Sequence, residues 1–168
     1  IQSPNLLEIV NRNFVYSCVN MNADVLIMGI NPSFTKEEKN LNSYPFDFDK
    51  LPNHRYYKKF HELIETYKVD YSFTYLDLFY QRHTEQSELK NFLGNPEGLK
   101  FICDQLIITQ EIVEQIKPKF ILVFNRLAAN FWGRNNKKNI ENVWLGYKFE
   151  KTSNENIFKI CGFEDTEN

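Results

Sequence analysis

Three short apolar runs constrain the fold of this chain more than any other feature. The first lies within Ala23–Gly29, where residues 25–28 are apolar at every position. Such a run is typical of a strand that is covered on both faces, as in a parallel sheet flanked by helices. Lys119–Asn125 repeats this pattern, and Tyr71–Phe79 is rich in β-forming residues. These runs predict the strands of a central sheet.

Amphipathic segments that we predict to be helices separate these strands. Residues 54–68 carry apolar side chains at helical spacing, and a longer helix over 96–118 ends at Pro118. Shorter helices are predicted at 5–14 and from Arg126 onward, and a pair of strands at 143–150 and 156–163. The alternation predicts one domain over residues 1–168, a three-layer αβα sandwich around a central, mostly parallel four-stranded sheet.

Composition narrows the class of protein. The chain has 168 residues, which suits one domain, and its net charge of −2 gives no general attraction to nucleic acid. A local basic face remains compatible with that charge. Its 3 cysteines form no CxxC pair, which is typical of reduced thiols in a cytoplasmic protein. We find no apolar run of membrane-spanning length and no signal peptide, and we expect a monomer without a membrane partner.

Polar residues follow each predicted strand, where ligands bind in open α/β sheets. The segments are "GINPSF" (29–34), "LDLFYQRHT" (76–84) and "VFNRLAA" (123–129). Asn31 is the most informative of these residues, because an amide donates and accepts hydrogen bonds at once. It can hold a water molecule and direct its lone pair, but it cannot remove a proton as a carboxylate does. The alternative is a plain turn, since Asn-Pro is common after a strand.

The segment Gly29-Ile30-Asn31-Pro32-Ser33 resembles the first active-site motif of the uracil-DNA glycosylase superfamily. The mismatch-specific uracil/thymine branch and the single-strand-selective branch have Gly-x-Asn-Pro-Gly there. Residues 75–84 are similar to the family's second-strand segment, and residues 116–132 to its helix-strand-helix unit. The resemblance implies an enzyme that hydrolyses the N-glycosidic bond of uracil or another damaged base, extruded from single- or double-stranded DNA, without a metal or cofactor.

The resemblance also implies roles for individual residues. Asn31 would be the catalytic residue that positions water. The base would be held by backbone amides near Ile30 and Ser33, by stacking on aromatic side chains and by Asp77. The candidates for stacking are Phe46 and Phe48, with Tyr44 as a third, and the candidates for DNA contact are Arg82, Thr84 and Arg126. From the residues alone, each has a structural alternative: core packing for the aromatics, a helix cap for Asp77 and a surface salt bridge for Arg82.

Three features favour a different function on the same fold. Ser33 and Asn125 stand where the family usually has glycine. The family's second active-site motif, His-Pro-Ser or Asn-Pro-Ser, should follow the last strand. Either it lies beyond Asn168 or this protein lacks it. The alternative is a non-catalytic nucleic-acid or nucleotide-binding module. An unrelated hydrolase or nucleotide binder has no support from a Gly-rich phosphate loop or a nucleophile elbow.

The histidines and the basic stretches give little information about function. His54 and His61 lie about two helical turns apart, roughly 10 Å, which is too far for one metal ion, so we predict no metal site. The basic stretches are most simply solvated faces, although they could contact phosphates in a salt-sensitive way. Their members are Arg55, Lys58, Lys59, Arg134, Lys137 and Lys138.

Overall fold

The computed structural model describes residues 4–35, 42–68, 70–133 and 144–163. The helices are α1 (Pro4–Val10), α2 (Lys58–Tyr67), α3 (Glu88–Leu93), α4 (Pro96–Ile116) and α5 (Arg126–Phe131). The strands are β1 (Val15–Ser17), β2 (Val25–Gly29), β3 (Tyr44–Phe46), β4 (Phe73–Asp77), β5 (Phe120–Val123), β6 (Tyr147–Lys151) and β7 (Phe158–Phe163). Within these ranges, no helix has the length and apolar character that crossing a bilayer requires.

The three apolar runs form one parallel sheet in the order β4-β2-β5. Val25 is in register with Phe73 on one side and with Phe120 on the other, and Gly29 is in register with Asp77. The prediction of a mixed α/β fold with parallel central strands is confirmed. The prediction of a four-stranded central sheet is wrong, because the described strands form three separate small sheets.

The last two strands pair with each other instead of joining the central sheet. They form an antiparallel hairpin, in which Tyr147 is opposite Phe163 with ring centroids 5.1 Å apart. Tyr147 also stacks on Trp132 at 5.2 Å, with the ring planes 14° apart. The hairpin therefore packs through its aromatic face, while its other side chains are mostly exposed. An amphipathic pair of this kind gains little from a place in a sheet that is covered on both faces.

Successive residues of β2 and β4 point to opposite faces of the sheet, and each face has its own core. Leu26 and Leu76 belong to the core that includes α4, whereas Ile27 and Tyr75 belong to a smaller core with Phe60 of α2. This explains why β2 is buried at every position. Helices thus cover both faces of the central sheet.

Some element boundaries differ from the predicted ones for local reasons. Helix α1 ends at Val10 instead of residue 14, and Asn13 adopts a left-handed conformation with φ 64°. Helix α4 begins as predicted, because the Asn95 side chain accepts hydrogen bonds from two backbone amides of its first turn. Strands β1 and β3 and helix α3 were not predicted from the sequence, and β1 pairs with β3 in a parallel two-stranded sheet.

The opposite end of the central sheet is held by Asp24, directly before β2. Its carboxylate accepts hydrogen bonds from the Ser72 backbone amide at 3.0 Å and the Ser72 hydroxyl at 2.8 Å. Lys119 Nζ lies 2.8 Å from the same carboxylate. The bond to Lys119, followed by those to Ser72, lowers the pKa of Asp24 to about 2. Asp24 therefore connects the beginnings of all three central strands.

Candidate functional site

The chain segments that leave β2 and β4 run side by side beyond the sheet. Leu78 N donates to Gly29 O at 3.2 Å, and Phe79 N donates to Ile30 O at 2.9 Å. Further along, His83 N donates to Pro32 O at 3.0 Å. The "GINPS" segment and the "LDLFYQRHT" segment are therefore neighbours, as expected for the carboxyl ends of adjacent parallel strands.

Asn31 presents an oriented side-chain amide at this edge. Its Nδ2 donates to the backbone oxygen of Pro32 at 2.8 Å. Its Oδ1 is buried and has no hydrogen-bond partner among the residues that the structure describes. Because one end of the amide is held and the other is a buried acceptor without a described partner, Asn31 can accept a hydrogen bond from a water molecule or a ligand once its surroundings move to admit one.

Asp77 ends β4 and faces the small core. Tyr75 Oη donates a hydrogen bond to Asp77 Oδ1 at 2.7 Å, inside the protein. Burial raises the pKa of Asp77 to about 7, against the opposing effect of the Tyr75 hydroxyl. Gly29 lies directly opposite, and a Cβ there would overlap both Tyr75 Oη and Asp77 Oδ1. The absence of a side chain at position 29 makes room for this pair.

Aromatic rings surround Tyr75 and include two of the predicted stacking residues. The Phe48 ring stacks on Tyr75 at 5.7 Å with the planes 13° apart, and Phe46 stacks on Tyr57 at 5.4 Å. Phe46, Phe48 and Asp77 are thus brought together through Tyr75. Phe48 also stacks on His61 at 4.2 Å, and only 2% of its surface is exposed. The protein's own rings fill this space, so a base could stack on Phe48 only if they separate.

The other predicted base-pocket residues lie elsewhere. Ile30 is buried in the core on the α4 side of the sheet. Ser33 is exposed and forms an isolated parallel bridge with His83, while Tyr44 is half-buried at the start of β3. Among the predicted site residues, the structure places Asp77 with Phe46 and Phe48, and places Asn31 and Ser33 beside the segment that follows β4. Tyr44 joins a different group, around Arg82.

Arg82 is buried, with 0% of its surface exposed. Its guanidinium lies 5.2 Å from the centre of the Phe34 ring and 5.8 Å from that of Tyr44, and Nη1 donates to Arg12 O at 3.4 Å. The DNA contact of Arg82 stays a prediction, and in this structure it would require Arg82 to be uncovered. Thr84 and Arg126 are exposed.

A charged network, not predicted from sequence, anchors this region. Arg12 forms ion pairs with Glu8 at 2.7 Å and Glu88 at 2.9 Å, and its guanidinium lies 4.6 Å from the Phe34 ring centre. His83 Nδ1 is 3.5 Å from Glu88. Burial, with Arg12 nearby, lowers the pKa of His83 to about 4 although Glu88 opposes it. His83 is therefore neutral at physiological pH.

The remaining candidates have local structural contacts. Asn125 caps α5, because its Oδ1 accepts hydrogen bonds from Leu127 N at 2.8 Å and Ala128 N at 3.1 Å. Lys58 and Lys59 are exposed at the start of α2. The predicted basic residues Arg134, Lys137 and Lys138 lie outside the described residues. Within the described ranges, no cluster of three His, Cys, Asp or Glu residues could hold a metal ion.

Comparison of the chain with models of known protein families, with curated proteins and with solved structures finds no match. The resemblance to uracil-DNA glycosylases therefore stays a prediction, carried by the motif residues.

Sequence reasoning missed Tyr75 and Gly29 as parts of this region. A signal was present for Tyr75, because it precedes Asp77 by two residues on a strand and shares its face. A glycine at the last position of an otherwise apolar strand is also a sign of close approach by another group. No local signal indicated Arg12, since its partner Glu88 is distant in sequence.

Proposed function

We propose that this chain is a uracil-DNA glycosylase-like enzyme that hydrolyses the N-glycosidic bond of uracil or another damaged base in DNA. The observation that carries the proposal is the Asn31 side chain. It follows β2 within a "GINPS" segment, its Nδ2 is held by Pro32 O at 2.8 Å, and its Oδ1 is a buried acceptor. This is the arrangement that a water-positioning amide requires.

In the proposed reaction, the damaged base leaves the helical stack before cleavage, because the scissile bond is shielded within a duplex. Asn31 Oδ1 accepts a hydrogen bond from the attacking water and aims its lone pair at the sugar carbon. The glycosidic bond breaks through an oxocarbenium-like sugar, by analogy with other glycosyl hydrolysis. The water oxygen then bonds to the sugar carbon, and the proton that it loses passes to the base anion or to solvent. Hydrogen bonds to the carbonyl oxygens of the leaving base stabilise its negative charge.

Asp77 suits a role in holding that base. With a pKa of about 7, raised by burial, a substantial fraction of its carboxyl group is protonated near neutral pH. A neutral carboxyl group donates one hydrogen bond and accepts another, which matches the alternating acceptor and donor groups of a uracil edge. The aromatic residues Phe46 and Phe48 adjoin it through Tyr75. Opening of this cluster is part of the proposal.

DNA would approach over exposed residues at the same edge of the sheet. Ser33 and Thr84 are exposed there, and Arg126 is exposed at the start of α5, beyond the end of β5. An arginine can bind phosphate oxygens through paired hydrogen bonds, and such contacts weaken as salt is added.

One observation favours the second candidate, a non-catalytic nucleic-acid or nucleotide-binding module. Phe48 is 2% exposed and stacks on both Tyr75 and His61, so the ring surface that a base would use is occupied by protein. Asn125 likewise serves as a helix cap. In this reading, Asn31 and the exposed residues around it bind a nucleotide without hydrolysing it.

The experiment that tests the proposal measures abasic sites in uracil-containing single- and double-stranded oligonucleotides after incubation with the full chain. Wild type should form abasic product, and Asn31→Ala should reduce the rate by roughly a hundredfold or more. The matched control is Asn22→Ala, which alters an exposed asparagine near the opposite end of β2 and should leave the rate unchanged.

Other outcomes decide between the candidates. Oligonucleotide binding by wild type without abasic product, on uracil or other deaminated bases, would contradict the enzyme and favour the binding module. Neither product nor binding would contradict both candidates. A loss of activity in both asparagine variants would contradict the assigned role of Asn31.

A further inference from the structure

A second, apolar cleft lies on the other face of the central sheet. It opens between β1 and α4 and has a volume of about 580 Å³. Because Leu76 lines it and the neighbouring Asp77 faces the small core, the cleft and the Asp77 cluster lie on opposite faces of β4. Its lining residues are largely apolar, and the central ones are Phe14, Tyr16, Ser17, Tyr80, Phe101 and Ile108.

Beside the cleft, helix α4 makes hydrogen bonds to backbone groups that a neighbouring strand could otherwise pair with. Val15 N donates to Tyr80 O at 3.0 Å, which places the start of β1 beside the segment that follows β4. Next to it, Tyr80 N donates to Gln105 Oε1 at 2.8 Å, and Leu78 O accepts from Thr109 Oγ1 at 2.8 Å. Both side chains belong to α4. The helix thus satisfies these backbone groups, and β1 pairs with β3 outside the β4-β2-β5 sheet.

Aromatic and aliphatic side chains form the walls of the cleft. The rings of Phe14 and Phe101 lie 6.1 Å apart at an angle of 35°. Tyr16 on β1 and Ile108 on α4 are exposed at the rim, although both are large apolar side chains. Exposed apolar walls on both sides of a concave surface are typical of a small-molecule site.

Ser17 supplies a polar group inside these walls. The residue is 8% exposed, and its Oγ is buried without a hydrogen-bond partner among the described residues. A buried hydroxyl without a partner is unfavourable, because it has lost its bonds to water. Because Oγ is buried, a ligand reaches it only when the Ser17 side chain turns toward the cleft, and the hydrogen bond then removes that cost.

The charges of the cleft limit what it can hold. Asp104 is the carboxylate of the lining, and it is paired with Lys100 Nζ at 2.6 Å. Among the described residues, the lining contains no lysine or arginine, and the nearby Lys100 is already paired with Asp104, so no unpaired cation is described there that would compensate a phosphate group. The volume falls within the range of roughly 300 to 1,000 Å³ that is common for small-molecule sites. These features favour an uncharged compound over a nucleotide.

We propose that this cleft binds a small, uncharged, planar ring compound, with a polar group hydrogen-bonded to Ser17 Oγ. Its rings lie between Phe14 and Tyr16 on one side and Phe101 and Ile108 on the other. The site does not depend on the glycosylase function, since none of its residues belongs to the Asn31 or Asp77 region.

The test is a fluorescence titration of the full chain with Nile red, an uncharged planar dye that carries a carbonyl group. Wild type should bind the dye saturably with a stoichiometry of one. Ile108→Glu should weaken binding at least tenfold, because it places a charge against the apolar wall. Ile107→Glu is the matched control: Ile107 is adjacent on α4 and similarly exposed, 54% against 47% for Ile108, but it does not line the cleft. It should leave the affinity unchanged.

Two further measurements sharpen the test. Ser17→Ala should weaken binding severalfold through loss of the hydrogen bond. Adenosine monophosphate should not displace the dye, because the described lining offers its phosphate no unpaired cation. Unsaturable binding, equal effects of the two isoleucine variants, or displacement by adenosine monophosphate would overturn the proposal. Concentration-dependent dimerisation that Ile108→Glu abolishes, without dye binding, would overturn it in favour of a second copy of the chain.

Discussion

Gly29 and Asp77 are register partners at the ends of β2 and β4, and the Asp77 carboxyl lies where a side chain of residue 29 would be. The Tyr75 hydroxyl lies in the same space and donates to Asp77 at 2.7 Å. A glycine in a buried strand thus makes room for a buried carboxyl group. This relationship connects the first motif of the sequence to the second, and it can be tested by substitution.

Gly29→Ala should destabilise the fold by about 1 to 3 kcal/mol, because the added methyl group displaces two buried polar groups. The free energy of unfolding in urea measures the effect. Gly94→Ala is the control. A Cβ atom at position 94 would have Lys90 O as its nearest contact beyond the adjacent residues, at 3.7 Å, which is an ordinary van der Waals distance. Equal losses for the two variants would show that the close packing around Gly29 has no energetic consequence.

Asp77 should make stability depend on pH between about 4 and 7. Its pKa is about 7 in the folded protein, against 3.8 ordinarily, so in this window the folded state holds a proton that the unfolded state has released. The contribution is full below pH 4 and is lost as pH rises through 7. A pKa difference of about three units between the folded and unfolded states corresponds to roughly 4 kcal/mol in the free energy of unfolding.

Asp77→Asn removes this titration, so the stability of wild type relative to the variant should fall from pH 4 to pH 7. Urea unfolding of both proteins across that range provides the measurement. Taking the difference cancels the opposite trend from His83, whose lowered pKa makes stability rise with pH between about 4 and 6.5. A constant difference would mean that Asp77 is not protonated in the fold.

Phe60 and Phe124 should differ sharply in their contribution to stability, although their ring centroids are only 4.9 Å apart. Phe60 is 1% exposed in the small core and Phe124 is 50% exposed. Phe60→Ala should cost about 3 to 5 kcal/mol, which is typical of a buried aromatic, whereas Phe124→Ala should cost clearly less. Thermal or urea unfolding of both variants tests the difference, and similar losses would contradict the assigned core.

The central strands could be predicted because their apolar runs are local and strong. Residues 25–28 are recognised as buried without knowledge of the rest of the chain. Residues 120–123 have the same apolar pattern, but the prediction that β5 is covered on both faces is wrong, because β5 lies at the edge of the sheet and Phe120 is 50% exposed. The place of the final hairpin was not predictable in this way. Its position depends on contacts with residues outside the hairpin, such as that of Tyr147 with Trp132, and the sequence pattern within each strand does not reveal these contacts. The three-residue strand β1 was missed for the same reason, since its pairing with β3 defines it.

The site was predictable to a smaller extent. The sequence predicted that the segments after β2 and β4 lie at one edge, because parallel strands align their carboxyl ends, and the hydrogen bonds of Leu78 and Phe79 to Gly29 and Ile30 confirm that these segments are adjacent. The burial of Arg82 was not predictable, since it depends on Phe34 and Tyr44, which reach it from other parts of the chain. Equally, a loop rich in aromatic residues can line a pocket or fill it. Only the stacking of Phe48 on Tyr75 shows that here the rings fill the space.

The most direct test of the account is the single-turnover rate of base release from a uracil-containing oligonucleotide by wild type, Asn31→Ala and Asn31→Asp. The account predicts a rate for Asn31→Ala about a hundredfold below wild type. It predicts a rate for Asn31→Asp at or above wild type at pH 8, because a carboxylate both positions the water and accepts its proton. Equal rates for all three proteins, or no base release by wild type, would contradict the role of Asn31.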